Sequence, residues 1–194
     1  MTDDFRFVYG DLSRVVLASS SPRRRELLRG IIPRFEVAAP EGAEETSKKY
    51  PARAVMDLAR KKAAEVGKRV GAYDLIIACD TAVYSGGTIL GKPKDAADAL
   101  NTLRLLNAAT HKVYSGVCLL TNDACKGFYD KTYVTFFEHS DAELERYIAE
   151  YKPFDKAGAY GVQDGFLRIK TVGSLDNVIG LPTEKLKRYL IYAD

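Results

Sequence analysis

The chain alternates between two hydrophobic periods. In SRVVLASS, Val15 to Ala18 form a short apolar run rich in β-branched residues, which predicts a buried strand. Ser21 then has the form of a helix N-cap and Pro22 that of a first-turn residue. Leu27, Leu28 and Ile31 give that helix its apolar stripe, and Gly30 lies near its end. RFEVAAP, residues 34–40, reads as a second strand, and the charged stretch 41–51 as turn-prone. Across 52–67, Val55, Leu58, Ala59, Lys62 and Val66 recur at helical spacing, with Gly67 as the stop. Leu75 to Ala78 predict a buried strand running into Cys79, Asp80 and Thr81, and Gly86-Gly87 predict a hairpin.

The second half continues in the same way. Ala99, Leu100, Leu103 and Leu106 mark an amphipathic helix over 94–107. Residues 111–121 and 126–138 read as an antiparallel pair of strands. Ser140 and Glu143 form a capping box for a helix over 141–151. A glycine-rich loop over 152–165 leads to a strand over 166–174 and a closing helix over 183–193, with Thr183 as its cap. Helical crossovers mixed with hairpins predict an α/β fold with a mixed sheet. At about 150 residues per domain, 194 residues make one domain, 1–194.

Composition narrows the function mainly by exclusion. Hydrophobic residues make up 46% and charged residues 28%, as in an ordinary globular protein. A net charge of +3 is too small for a nucleic-acid coat or a membrane patch, so functional charge must be local. No apolar run reaches membrane-spanning length, and the N-terminus lacks a signal-peptide core. Cys79, Cys118 and Cys125 form no C-x-x-C pair and read as reduced thiols of a cytoplasmic protein. His111 and His139 are the only histidines, which excludes a His-rich zinc site; both read as structural or surface residues.

Four places break the bland pattern. In LASSSPRRRELL, three serines and Arg23, Arg24 and Arg25 crowd a helix N-terminus, where cations oppose the dipole but anions bind well. Lys62 falls on the apolar face of its helix, so it must snorkel or meet an anion. Asp80 follows the buried LIIAC, where open α/β sheets bind ligands and where a carboxylate can hold Mg²⁺ or orient a water. Lys92 projects from the turn fixed by Gly91 and Pro93. An anion-binding corner, two lysines and an acid suited to a hard cation are the equipment for displacement at a phosphate. Neither G-x-x-x-x-G-K-[ST] nor a strand-borne G-x-G-x-x-G occurs.

The ordered set LASSSPRRRELL, LARKKA, ACDTAV, ILGKPKD, THKVYSGV, DKAGAYGVQ and NVIGLP resembles the Maf, or septum-formation, family of nucleoside triphosphate pyrophosphatases over nearly the whole chain. The resemblance implies a long twisted mixed sheet flanked by helices, in two lobes with a central cleft (Maf/ITPase-like), and a homodimer. It implies hydrolysis of a nucleoside triphosphate to the monophosphate and pyrophosphate with Mg²⁺ or Mn²⁺. Asp80 matches the catalytic acid, and Ser19, Arg23, Arg24, Glu44, Lys62 and Lys92 match cleft residues. Lys62 and Lys92 are thereby expected to act with Asp80 in catalysis, and Glu44 with Asp80 on the metal. Arg23, Thr81 and Gln163 match the branch acting on dTTP and UTP; an amide at Gln163 suits the donor and acceptor of a pyrimidine edge. Arg25 has no counterpart and reads as solvated.

The chain also departs from the family. Ala43 stands where an Asp is common, Cys79 replaces an alanine, and Leu175 an aromatic; the last two read as packing changes. Rival readings are a non-catalytic nucleotide or nucleic-acid binder in cell division, for which the low net charge disfavours long nucleic-acid contacts, and the same chemistry on a different base, such as 7-methyl-GTP or a modified pyrimidine triphosphate.

Overall fold

Val15–Ala18 form a strand with all four residues buried, and Ser21 caps the helix that follows by accepting a hydrogen bond from the Arg24 amide. The computed structural model describes residues 12–42 and 45–190, together with the backbone of Phe7–Val8 and Ile191. Glu44 and Ala43 lie outside the described residues. In chain order the elements are β1 (Phe7–Val8), β2 (Val15–Ala18), α1 (Pro22–Arg29), β3 (Glu36–Val37), α2 (Pro51–Gly67), β4 (Leu75–Ser85), β5 (Thr88–Leu90) and α3 (Ala96–Leu106). There follow β6 (Thr110–Leu120), β7 (Cys125–Phe136), α4 (Asp141–Tyr151), β8 (Ile169–Val172), α5 (Leu175–Ile179), α6 (Thr183–Lys187) and β9 (Leu190–Ile191).

The main sheet runs β3-β2-β4-β6-β7-β8, with β5 beside β4. β3, β2 and β4 pair in parallel; β4, β6, β7 and β8 pair antiparallel, so the sheet is mixed as expected. Gly86 and Gly87 turn β4 into β5 with φ of +55° and +86°, the left-handed pair that a two-residue hairpin requires. Three apolar clusters pack on the sheet. One joins Leu17, Ile77 and Cys79 to Leu28 of α1 and Leu186 of α6. A second sets Val16, Ile76 and Ala78 against Ala59, Ala63 and Val66 of α2. A third gathers Val83, Val113 and Phe136 beneath α3 and α4. The first and third lie toward opposite ends of β4 and form the cores of two lobes. Among the described residues no helix is long and apolar enough to cross a membrane.

Three expectations change. β4 does not stop near Asp80 but continues to Ser85, because β6 pairs with it from Ile76 to Tyr84. The closing helix ends at Lys187 rather than near 193; Leu190 and Ile191 instead pair in parallel with Phe7 and Val8. Thr183 is not the cap: Pro182 holds that position, and the Thr183 hydroxyl donates to Asp176. The short α5 was not legible, since five residues cannot display a helical period. Leu175 opens it and is 47% exposed, so its difference from an aromatic falls on the surface.

Candidate active site

A break in strand pairing creates the cleft. β2 accompanies β4 as far as Ala78, and β5 takes over at Val83. Among the described residues, Cys79–Ala82 have no strand neighbour on that edge. Asp80 is thus in mid-strand, opposite Gly116 of β6, yet two residues past the end of the parallel pairing. Alternation along the strand turns Asp80 toward the face covered by α2 and Thr81 toward the opposite face. At the open edge both reach the same cavity, of about 310 Å³.

Ser19, Arg23, Arg24, Lys62, Asp80, Thr81, Lys92 and Gln163 all line that cavity. They come from the β2–α1 junction with the first turn of α1, from α2, from β4, from the turn after β5, and from a 3-10 turn at Val162–Asp164. Every candidate named from the sequence is therefore gathered there except Glu44, which lies outside the described residues.

Lys62 does not snorkel. Its Nζ donates to Asp80 Oδ1 at 2.6 Å, with both residues 7% exposed. At the arginine-rich corner the three cations separate. Arg25 is exposed. Arg24 is held within the protein: Nε donates to the Gly180 carbonyl at 2.9 Å, a terminal nitrogen to Thr81 Oγ1 at 2.9 Å, and the other to Ser19 Oγ at 3.5 Å. Arg23 reaches across to Asp155 Oδ2 at 2.9 Å. Ser19 Oγ also accepts from the Ser21 amide at 3.2 Å.

Thr81 sits in a network that sequence reading missed. Its hydroxyl lies 2.8 Å from Ser115 Oγ, which donates to the Asn177 carbonyl at 2.8 Å. The fully buried Asn177 side chain accepts from the Ser115 amide and donates to the Val113 carbonyl and Thr132 Oγ1. Asn177 thus pins α5 against β6 and β7 and fixes the groups behind Arg24. Cys79 belongs to the same corner: burial pushes its pKa up, and the thiol donates to Gly180 O at 2.9 Å. The replacement of alanine there adds a hydrogen bond as well as volume.

Asp155, Lys156 and Tyr160 also line the cavity and were not singled out from the sequence. They lie in or beside the glycine-rich loop, and the signal was the charged pair Asp155-Lys156 preceding Gly158 and Gly161. The loop is tied to the Lys92 turn by the Gly158 amide, which donates to the Gly91 carbonyl at 3.0 Å. Burial pushes the Tyr160 hydroxyl up, and it lies 2.8 Å from His111 Nε2. Burial lowers His111 to about 4. His139 Nε2 accepts from the Arg168 amide at 2.9 Å. Neither histidine lines the cavity, and both are structural as expected. All three cysteines are free thiols.

The arrangement offers a carboxylate beside a buried ammonium, a second lysine, serine and arginine donors, and an exposed amide across the cleft. It suits a long polyanion with a polar head group. Residues 14–193 match the family described as Maf-like protein. The dTTP/UTP pyrophosphatase of Agathobacter rectalis is 40% identical over 200 residues, which cover 92% of this chain and 97% of that protein. The dTTP/UTP pyrophosphatase of Bacillus cytotoxicus is 43% identical, covering 92% and 95%. Among solved structures, the Ham1 protein of Staphylococcus aureus gives a TM-score of 0.47 at 15% identity, covering 64% of this chain and 72% of that one.

Proposed function

The chain belongs to the Maf family, and we propose that it hydrolyses dTTP and UTP to the monophosphate and pyrophosphate, clearing nucleotides from the cellular pool. The observation that carries this reading is the convergence of eight residues, from five separate segments, on one cleft around the Asp80–Lys62 pair. Relatives about 40% identical over nearly their whole length bear that activity in their names.

In this mechanism a water attacks the α-phosphorus and pyrophosphate leaves. Asp80 orients the water and takes its proton, help worth about 10²–10⁴ in rate. The 2.6 Å bond from Lys62 fixes the carboxylate's direction and keeps a cation beside the phosphate where charge grows. Lys92 and Ser19 donate to the phosphates. Arg24 is restrained by Gly180 and Thr81, and it adds a fixed positive charge at the α1 N-terminus. Arg23 and Gln163 face the base. A guanidinium donates to a pyrimidine carbonyl, and an amide pairs with both the carbonyl and the N–H of uracil or thymine.

A divalent cation, Mg²⁺ or Mn²⁺, is part of the reading. Asp80 fits it, because Mg²⁺ takes one or two carboxylates and completes its shell with phosphates and water. Glu44 is the second ligand in this assignment. When bound, the ion screens the phosphates and polarises the phosphoryl oxygens. The reading also places the protein in the cytoplasm, supported by three free thiols, and as a homodimer.

The test is a chromatographic panel of triphosphates incubated with the protein and Mg²⁺ or Mn²⁺. Consumption of dTTP and UTP with pyrophosphate release is expected. Preferential loss of 7-methyl-GTP, or release of orthophosphate, would contradict the assignment. Steeply salt-dependent DNA binding without turnover would point to the regulatory alternative.

A further inference from the structure

We infer that Asp155 is a positioning residue: it holds the Arg23 guanidinium at the base end of the cleft and so sets the preference for uracil and thymine over cytosine. The inference rests on the functional reading above.

A carboxylate in a cleft built for a triphosphate is out of place electrostatically, and its partners explain it. Asp155 ends a 3-10 turn, Pro153–Asp155, across the cleft from α1. Its two oxygens are divided: Oδ2 accepts from Arg23 at 2.9 Å and Oδ1 from Lys156 Nζ at 3.0 Å. Burial pushes the carboxyl up, but Lys156 and Arg23 outweigh it and hold the group below its ordinary value, so it is ionised at neutral pH. This cluster is a separate ion-pair group from Asp80–Lys62 in the same cavity.

Arg23 lies in the first turn of α1, where the helix itself does nothing to fix a long side chain. A mobile guanidinium beside a triphosphate is drawn to the phosphates, because phosphate is its strongest partner. Anchored through one nitrogen by Asp155, it presents its remaining N–H groups in a fixed direction. A guanidinium has no acceptor. Uracil and thymine offer it a carbonyl at C4, whereas cytosine offers an amine there and leaves a donor facing a donor. Discrimination therefore depends on Arg23 staying in place.

The pair is partly exposed, with side-chain exposures of 27% for Arg23 and 58% for Asp155. Such pairs contribute little to stability. Loss of the carboxylate should therefore leave the fold intact and be felt in recognition.

The experiment compares wild type, Asp155→Asn and Asp155→Glu on UTP and CTP. It measures kcat and KM separately, together with equilibrium binding of the non-hydrolysable α,β-methylene analogues. With Asp155→Asn, the UTP-to-CTP ratio of kcat/KM is expected to fall by about tenfold, the scale of one charge-assisted hydrogen bond. The fall should appear in KM and in analogue binding, at near-wild-type kcat. Asp155→Glu should recover most of the ratio. A fall below fivefold overturns the inference, as does a loss confined to kcat. If Asp155→Asn fails to fold, Asp155→Ser carries the same comparison. Wild-type protein that cleaves neither UTP nor dTTP sinks the functional reading and the inference with it, whereas an unchanged ratio in active proteins sinks the inference alone.

Discussion

Lys62 Nζ lies 2.6 Å from Asp80 Oδ1, with side-chain exposures of only 8% and 10%. The two come from different elements, α2 and β4, and meet where the sheet edge is open. A lysine side chain only 8% exposed would be costly by itself. Here the carboxylate compensates it, and both remain close enough to the cavity to meet a substrate.

That pairing separates chemistry from stability. Asp80→Asn keeps the shape but removes the carboxylate that the proposed mechanism uses as proton acceptor, so turnover should fall by about 10²–10⁴ while a non-hydrolysable triphosphate analogue still binds. Near-normal turnover would refute the role. Lys62→Met strands a nearly buried carboxylate and should cost about 3 kcal/mol in urea unfolding. In the double variant part of that loss should return. Additivity of the two single effects to within about 0.5 kcal/mol would mean that the pair is not coupled.

Gly116 lies opposite Asp80 in the β4–β6 register, and α2 passes directly over it. A Cβ there would stand 2.5 Å from the Val55 carbonyl carbon and 2.6 Å from the Met56 nitrogen, both backbone atoms that no rotamer change can move aside. Gly116→Ala must lift α2, and Lys62 with it. A stability loss of about 2–3 kcal/mol is expected, together with a loss of turnover larger than the fall in folded fraction explains. Denaturant unfolding and activity measured on the same sample check both. Full activity at wild-type stability would exclude the close approach.

His111 is 1% exposed, and its Nδ1 has no hydrogen-bond partner among the described residues. Burial lowers its folded pKa to about 4 from an ordinary 6.5. Between those values the unfolded chain binds the proton and the folded one does not, so stability rises with pH across that window. Above pH 6.5 the contribution is complete, and on acidification it is progressively lost until about pH 4. From pH 8 to pH 5 this group should account for roughly 2 kcal/mol of destabilisation. Urea midpoints at the two pH values, for wild type and His111→Gln, measure it. The variant should be less stable at pH 8 but show a shallower pH dependence; identical slopes would assign the effect elsewhere.

What could be read from the chain was what depends on neighbours within a few residues. Ser21 bonds to the Arg24 amide three positions on, Ser140 and Glu143 close their capping box, and Gly86-Gly87 make their turn. Each is decided by local geometry, as are the apolar stripes of α2 and α3. The family motifs added which residues share a cleft, though not how they are disposed there. The ordered neighbours of those residues were decided only in three dimensions. Asp80 meets Lys62 from 18 positions away and Arg23 meets Asp155 from 132 away. Leu190 leaves the expected helix because its strand partner is Phe7, at the other end of the chain. Asn177 resembles any polar residue of a short loop until α5 brings it between β6 and β7. A buried polar or charged group takes whichever partner the packing delivers, because leaving it unpaired costs more than any local preference. The long periodic helices and strands and most of the cleft residues follow from the order of residues along the chain, whereas α5, β9, Asp155 and the Ser115–Asn177 network do not; the packing of α1, α2 and the glycine-rich loop around the open edge of β4 decided which groups touch.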